Sequence, residues 1–509
     1  MIKDSDIISL SQFNKESLLN GKKGIEREML RLDKENSISQ DSHKKYLGSA
    51  LCNNYITTDF SEAQLEIVTM PYHEIGSLFT FLKDAHHFIT HSISDEKLWP
   101  FSMPPDFSNE DNIPIAHYGT SNLALFKETY RNGLSKRYGK AMQAISGLHF
   151  NYSLSDEIWK YNLLETKDFD KKKNKEVVYF RAIRNISRMN WLILYLFGAS
   201  PIFSKSFLSK PHDSDKYYSY MDSLYLPYAT SLRMSDLGYQ NFSQSNIKVS
   251  LNSLDSYIYD LYRATNVDDT NFNFQPKSSN YFQQLNTNQL QIEDEFYAVS
   301  RPKNSVVSDA RITSKLKMFG VDYVELRSVD IDPFSSIGIE QSTAKFLEAF
   351  VMFCAFSPSP LLNNNDIEAI RKNDLLVARE GRKPDLELIN NNQGIKLKTW
   401  AIQILESMEL FFDVFDIDTK IYKERVENPE NTISAKFLSS IMSSNMDLNE
   451  FAIDISNENK ESFLRIKKEE NKKWNMLEKE VIDSKAKQAK LEKNESIKFY
   501  QFLENYFNS

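Results

Sequence analysis

The chain has 509 residues, of which 41% are hydrophobic and 13% aromatic, enough apolar material for a large folded core. A net charge of −8 argues against nonspecific nucleic-acid binding, which draws its affinity from neutralising phosphates. Its two cysteines, Cys52 and Cys354, are too few for a disulfide framework or a four-thiolate zinc site and point to a reducing cytoplasm.

The opening run, Met1-Ile2-Lys3-Asp4-Ser5-Asp6, has no apolar stretch of the kind a secretory signal needs. Residues 24–32, Gly-Ile-Glu-Arg-Glu-Met-Leu-Arg-Leu, read as a strand. Side chains at i and i+2 of a strand share one face about 7 Å apart, so Glu26 and Glu28 converge while Arg27 points away. Burying unpaired carboxylates is costly, so a half-buried acidic face implies bound cations, raised pKa values or water. Hard divalent cations with oxygen ligands fit best. The plainer alternative is a solvated strand whose acids pair with Arg31 and surface lysines.

Short β-like runs follow at 55–58 and 65–69. Between them, Asp59 and Glu62 read as a capping box that starts a short helix. Glu66, flanked by Leu65, Ile67 and Val68, faces either solvent or a site. A helical pattern covers 78–88, and 148–153 reads as a strand in which His149 is either a hydrogen-bonded core histidine or a ligand. A long helix is predicted over 175–200, ending near Gly198. The apolar runs 191–203 and 346–356 are too short to span a bilayer and read as core helices. A polar segment at 231–241 precedes a strand at 323–329, where Glu325 and Arg327 share a face and Arg327 could simply neutralise Glu325. From about 341 the pattern is helical, and 467–498, rich in Lys, Glu and Asn, reads as a solvated helix. The predicted organisation is one catalytic body over 1–465 and a charged helical tail over 466–509. There is no glycine-rich phosphate loop, so a nucleotide would be held mainly by metals and side chains.

Ordered blocks along nearly the whole chain carry a resemblance. They include Gly24-Ile25-Glu26-Arg27-Glu28, Ile56-Thr57-Thr58-Asp59-Phe60, Tyr118-Gly119-Thr120-Ser121-Asn122, Ile145-Ser146-Gly147-Leu148-His149, Ser235-Asp236-Leu237-Gly238-Tyr239, Ile292-Glu293-Asp294-Glu295-Phe296-Tyr297 and Glu380-Gly381-Arg382-Lys383-Pro384. In these blocks the chain resembles the glutamate–cysteine ligase family, in the form found in proteobacteria. The match thins after about residue 390.

The resemblance implies an α+β fold of the glutamine synthetase and guanido kinase catalytic type, a curved antiparallel β-sheet funnel with surrounding helices. It implies ATP-dependent ligation of glutamate to cysteine through a γ-glutamyl phosphate, the first step of glutathione biosynthesis. The cofactor implied is Mg²⁺, with Mn²⁺ as a substitute, and ATP is the co-substrate. Glu26, Glu28, Asp59, Glu66, His149 and Glu325 become the implied metal ligands, His149 the weakest because hard cations prefer oxygen. Arg327 is assigned to the transferred phosphoryl group, with Glu28 and Glu325 beside it as catalytic residues. Tyr130, Tyr239 and Tyr297 become the cysteine pocket, and Arg131 and Arg233 the partners of substrate carboxylates. Glutathione is the implied feedback inhibitor, and neither nucleic acid nor membrane is a partner of this monomeric cytoplasmic enzyme. Competing readings are a related ATP-dependent amine ligase with another acceptor, a non-catalytic ligand-binding homologue, and a Mg²⁺-dependent phosphohydrolase.

Overall fold

Alternation along Lys22–Leu32 produces a strand, β1, that is dry on both faces: Ile25, Arg27 and Met29 are buried on one and Glu28 on the other. In the computed structural model, which describes residues 8, 10–93, 95–161, 163, 170–208, 211–239, 244, 246–272, 282–307 and 310–508, β1 lies inside the main sheet. The remaining strands in chain order are β2 (Ile56–Thr58), β3 (Gln64–Val68), β4 (Lys97–Leu98), β5 (Leu148–Ser153), β6 (Ile202–Ser204), β7 (Tyr218–Tyr220), β8 (Ser223–Tyr225), β9 (Ser300–Lys303), β10 (Tyr323–Val329), β11 (Glu387–Asn390) and β12 (Gln393–Lys396). The main sheet runs β2-β3-β1-β5-β10-β9, with β4 paired to the end of β1, and every pairing in it is antiparallel. A small sheet orders as β6-β8-β7, and β11 and β12 form a separate hairpin.

Register decides which side chains share a face. Glu28 stands opposite Glu66, Glu26 opposite His149, and Asn151 opposite Glu325. Glu66, Glu26, Glu28, His149, Asn151, Glu325 and Arg327 therefore occupy one face of four adjacent strands. The other face is apolar. Ile25, Met29, Leu65, Ile67, Leu148, Phe150, Val324 and Leu326 pack there in one core with the helices Ile75–Ser92, Lys171–Phe197 and Gln341–Phe356. Each helix of this layer buries most of its length, which is why the apolar run at 346–356 belongs to a core helix.

Helix ends follow capping chemistry. Asp170 accepts from the backbone of Lys172 and Lys173 to start Lys171–Phe197, which stops at Gly198, as the sequence predicts. The run 191–203 is only partly helical, because Gly198 and Pro201 end the helix and Ile202–Ser204 continues as β6. Asp59 and Glu62 do not open a helix; they sit in the turn joining β2 to β3, and the Glu62 carboxylate accepts from the backbone N–H of His43 and of His117, each at 2.7 Å. The helical region after 341 is interrupted by the β11–β12 hairpin, whose turn residues Asn391 and Asn392 both take positive φ. Residues 1–6, together with Gln240 and Asn241 at the end of the polar segment, lie outside the described residues.

Residues 467–498 divide into a turn at Lys468–Glu470 and the helix Trp474–Lys493, which buries Leu477, Glu480 and Ser484 and packs the partly buried Trp474, Met476 and Val481 against the main core. Glu480 accepts from the backbone and side chain of Asn54, at 3.0 and 2.8 Å. The last helix, Phe499–Phe507, lays Phe499, Phe502, Leu503, Tyr506 and Phe507 on Phe126, Leu285 and Ile292. No helix among the described residues is long and apolar enough to cross a membrane.

Candidate active site

At the centre of the polar sheet face, His149 touches three acids. Its Nδ1 is 3.0 Å from Glu26 Oε2 and 3.8 Å from Glu325 Oε1, and its Nε2 is 3.7 Å from Glu28 Oε1. Glu26, His149 and Glu325 each offer one ligand atom, all within 4.8 Å of one another. Asn151 donates to Glu26 Oε1 at 2.9 Å, and the Gly147 N–H donates to Glu28 Oε2 at 2.7 Å. Glu325 is also flanked by Arg327 Nη1 at 3.2 Å and Lys303 Nζ at 3.4 Å.

Electrostatics divide the acids into two groups. Burial pushes Glu325 upward, but Lys303, Arg327 and His149 outweigh it and hold the carboxylate well below its ordinary range. Glu26 is lowered too: burial and Glu325 raise it, and His149 and Lys303 prevail. On the β3 side the nearby cations, Arg233 and Arg327 for Glu28 and Lys127 for Glu66, do not prevail. Burial and then the Asp59 charge push Glu28 up to about 8, and burial followed by Glu26, Asp59 and Glu28 raises Glu66 far above the usual carboxylate range. Burial together with Arg327 lowers His149, so its imidazole is neutral near pH 7 and can lend a lone pair.

Beside this cluster opens a cavity of about 730 Å³, lined at its inner end by His149, Arg233, Tyr239, Tyr297 and Arg327. Arg233 is 2% exposed; its Nη2 donates to the Arg327 carbonyl at 2.9 Å, its Nη1 is 3.6 Å from Asp330, and its Nε has no partner among the described residues. The Tyr239 ring lies 5.2 Å from that guanidinium and meets the Tyr297 ring edge-on at 5.3 Å. Gln143 donates to the Tyr297 hydroxyl at 2.7 Å. Burial first, then Glu28 for Tyr239 and Tyr138 for Tyr297, raises both phenols, so both remain neutral. Tyr130 and Arg131 come from the helix Asn122–Tyr138, started by Ser121. Tyr130 packs partly buried between two apolar clusters, while Arg131 Nε donates to the Asp59 carbonyl and its guanidinium covers the Tyr118 ring.

A family model described as glutamate-cysteine ligase matches residues 7–377. The chain belongs to the glutamate–cysteine ligase family. It is 37% identical over 506 residues to a glutamate–cysteine ligase of Alcanivorax borkumensis, covering 96% of this chain and 95% of that one. With a relative of the same name from Janthinobacterium sp. it shares 39% identity over 504 residues, covering 96% of this chain and 94% of the relative. The crystal structure of glutamate–cysteine ligase from Francisella tularensis in complex with AMP superposes with a TM-score of 0.88 at 32% identity, covering 96% of this chain and 98% of that one. A bifunctional glutathione synthetase from Pasteurella multocida shares the fold, with a TM-score of 0.68 at 21% identity over 91% of this chain and 54% of its own.

Within this glutamate–cysteine ligase family member, the sequence-predicted site residues Glu26, Glu28, His149, Glu325 and Arg327 meet in one cluster, with Glu66 across the strand pair. Arg233, Tyr239 and Tyr297 meet in the adjoining cavity. Sequence reasoning missed Asn151, Lys303 and Gln143. Asn151 was within reach of the same i+2 rule that pairs Glu26 with Glu28, since it stands two residues after His149. Lys303 approaches only because β9 pairs with β10, which no local pattern announces.

Proposed function

We propose that this chain couples ATP cleavage to formation of an amide between the γ-carboxylate of glutamate and the amine of cysteine, yielding γ-glutamylcysteine, ADP and phosphate. The observation that carries this reading is the convergence of Glu26, Glu28, Glu66, His149 and Glu325 on one sheet face with Arg327 beside them. Direct condensation fails because oxide is a poor leaving group. In the proposed sequence the glutamate γ-carboxylate oxygen attacks the γ-phosphorus of ATP, the bond to the β-phosphate oxygen breaks, and γ-glutamyl phosphate forms. The cysteine amine then attacks the γ-carbonyl carbon, phosphate departs with the former carboxylate oxygen, and the amine loses a proton.

The acid set fits Mg²⁺, with Mn²⁺ as a substitute: carboxylates predominate, and the raised pKa values of Glu28 and Glu66 mark charge that lacks a cation. Glu26, Glu28, Glu66 and Glu325 would hold the ions, with Asp59 and His149 as additional members. Bound Mg²⁺ supplies neutralisation of the triphosphate as its oxygens approach a carboxylate nucleophile. Arg327 presents its planar fork to the transferred phosphoryl group, kept in place by Glu325. Arg233, which lines the cavity and whose buried Nε has no partner among the described residues, receives a substrate carboxylate. The neutral hydroxyls of Tyr239 and Tyr297 line the cysteine pocket with Tyr130, and Gln143 fixes the orientation of Tyr297. Curvature of the main sheet into a funnel of the glutamine synthetase type, a cytoplasmic setting and feedback by glutathione belong to the same reading.

The test is phosphate release with ATP, Mg²⁺, glutamate and cysteine, each omitted in turn. Release that needs all four supports ligation, whereas release undiminished without either amino acid would make the protein a phosphohydrolase.

A further inference from the structure

The charged tail is fastened at both of its ends. At the first, Leu477 joins the main core, Ser484 Oγ accepts from the Ser49 N–H at 3.2 Å, and Glu480 holds Asn54. Further along, three side chains reach the segment 118–122. Gln488 Nε2 donates to the Tyr118 carbonyl at 3.0 Å, and Glu492 Oε1 accepts from the Thr120 N–H at 3.1 Å. The Glu495 carboxylate accepts from the Asn122 N–H and from its side-chain amide, both at 2.6 Å. This approach is close enough to need Gly119, which takes positive φ and where a Cβ would collide with the Glu492 and Gln488 side chains.

Asn122 opens the helix Asn122–Tyr138, so Glu495 satisfies an N–H that finds no acceptor within the helix, while Ser121 caps the N–H of Ala124. A carboxylate there also suits the positive end of the helix dipole. The final helix, Phe499–Phe507, continues along the same element. Tyr506 and Phe502 set their rings 4.6 and 6.0 Å from that of Phe126, one turn before Tyr130, and Leu503 clusters with Leu285 and Ile292 on the segment that leads to Tyr297. Arg137 ties these two neighbours together, its Nη1 3.0 Å from Glu295 with both side chains fully buried. Both neighbours of the tail therefore lead to the pocket read above as that for cysteine: one carries Tyr130 and Arg131, the other Tyr297. Neither carries Glu26, Glu28, Glu66, Glu325, Arg233 or Arg327.

We propose that the C-terminal tail is a strut that sets the cysteine side of the active site, with Glu495 as its positioning residue at the start of the helix Asn122–Tyr138. This rests on the assignment of cysteine to that pocket.

The test compares Glu495→Ala and Glu495→Gln in the full-length protein. Without its acceptor, the start of the helix should shift enough to raise KM for cysteine about 3- to 10-fold in Glu495→Ala, while KM for glutamate and for ATP stay within about twofold. Glu495→Gln should recover most of the loss, because its amide oxygen can still accept from the Asn122 N–H. Phe502→Ala, which removes a separate contact on the same helix, should show the same selectivity for cysteine. Hydrogen exchange read by mass spectrometry should quicken over residues 118–130 in Glu495→Ala and stay unchanged in the main sheet. An unchanged KM for cysteine, a rise shared equally by all three substrates, no recovery by glutamine, or unaltered exchange over 118–130 would overturn the proposal. Wild-type protein that did not join glutamate to cysteine would defeat the functional reading alone, since the exchange comparison would still decide whether the tail holds that helix.

Discussion

Glu28 is held where a negative charge is hardest to keep: 5% exposed, opposite Glu66, and with Asp59 adding its repulsion. Its neighbour two residues back is different, because Glu26 has His149 and Asn151 as hydrogen-bond partners. Both are nonetheless on the face proposed to bind cations, so Glu26→Gln or Glu28→Gln should lower turnover at least about 100-fold. The fold should not suffer. In Glu28→Gln the amide oxygen can still accept from the Gly147 N–H, and like-charge repulsion in the metal-free protein is relieved, so the melting temperature should be equal or higher. A fall of many degrees with activity retained would mean that these carboxylates are structural. At this scale much of the site was legible, since Glu26 with Glu28 and Glu325 with Arg327 are local i+2 pairs that a strand necessarily turns to one side.

Elements join these local pairs into a site through close approaches. Gly147, at the entry to β5, has no side chain because a Cβ there would lie 2.0 Å from Arg233 Nη2 and 2.6 Å from its Cζ. Arg233 cannot swing aside, being tied to the Arg327 carbonyl, Asp330 and the Tyr239 ring. Gly147→Ala should therefore displace the guanidinium, destabilise the protein by about 1–3 kcal/mol and reduce kcat/KM for glutamate; wild-type kinetics in this variant would show that Arg233 does not position substrate. This contact was invisible in the sequence, where Gly147 and Arg233 sit in separate blocks. The Asp59–Glu62 spacing misled for a related reason: the acceptors that would cap a helix are used by His43 and His117, and the β2–β3 pairing takes the backbone instead. The Asn391-Asn392 turn did carry a signal, two residues tolerant of positive φ, hidden inside an otherwise helical stretch.

Across the whole molecule, the sheet is tied to its helices by buried polar links as well as by apolar packing. Ser328 of β10 donates to Asn190 Oδ1 at 2.5 Å, and Asn190 donates to Asp374 Oδ2 at 2.8 Å, joining the sheet to the helices Lys171–Phe197 and Asn364–Glu380. Burial pushes Asp374 up to about 8 from its ordinary 3.8. Between those values the folded state keeps a proton that the unfolded chain has lost, so this group makes stability fall as pH rises. Asp374→Asn removes the titration, and its melting temperature relative to wild type should climb from pH 5 to pH 8; a pH-independent difference would contradict the assignment. The strand order β2-β3-β1-β5-β10-β9, which brings Glu66, His149 and Glu325 around β1, was beyond any local pattern because its partners lie far apart in the chain. Arg27 adds a constraint of another kind. It is sealed beneath the sheet beside His86, between Ile25 and Met29, while the acids face the other way. A strand repeats every two residues, so deleting one codon within 24–28 would turn the arginine into the acidic cluster and the glutamates into oil. The loops that flank β1 can gain or lose residues singly over evolutionary time, but the strand itself can change length only in steps that preserve its parity.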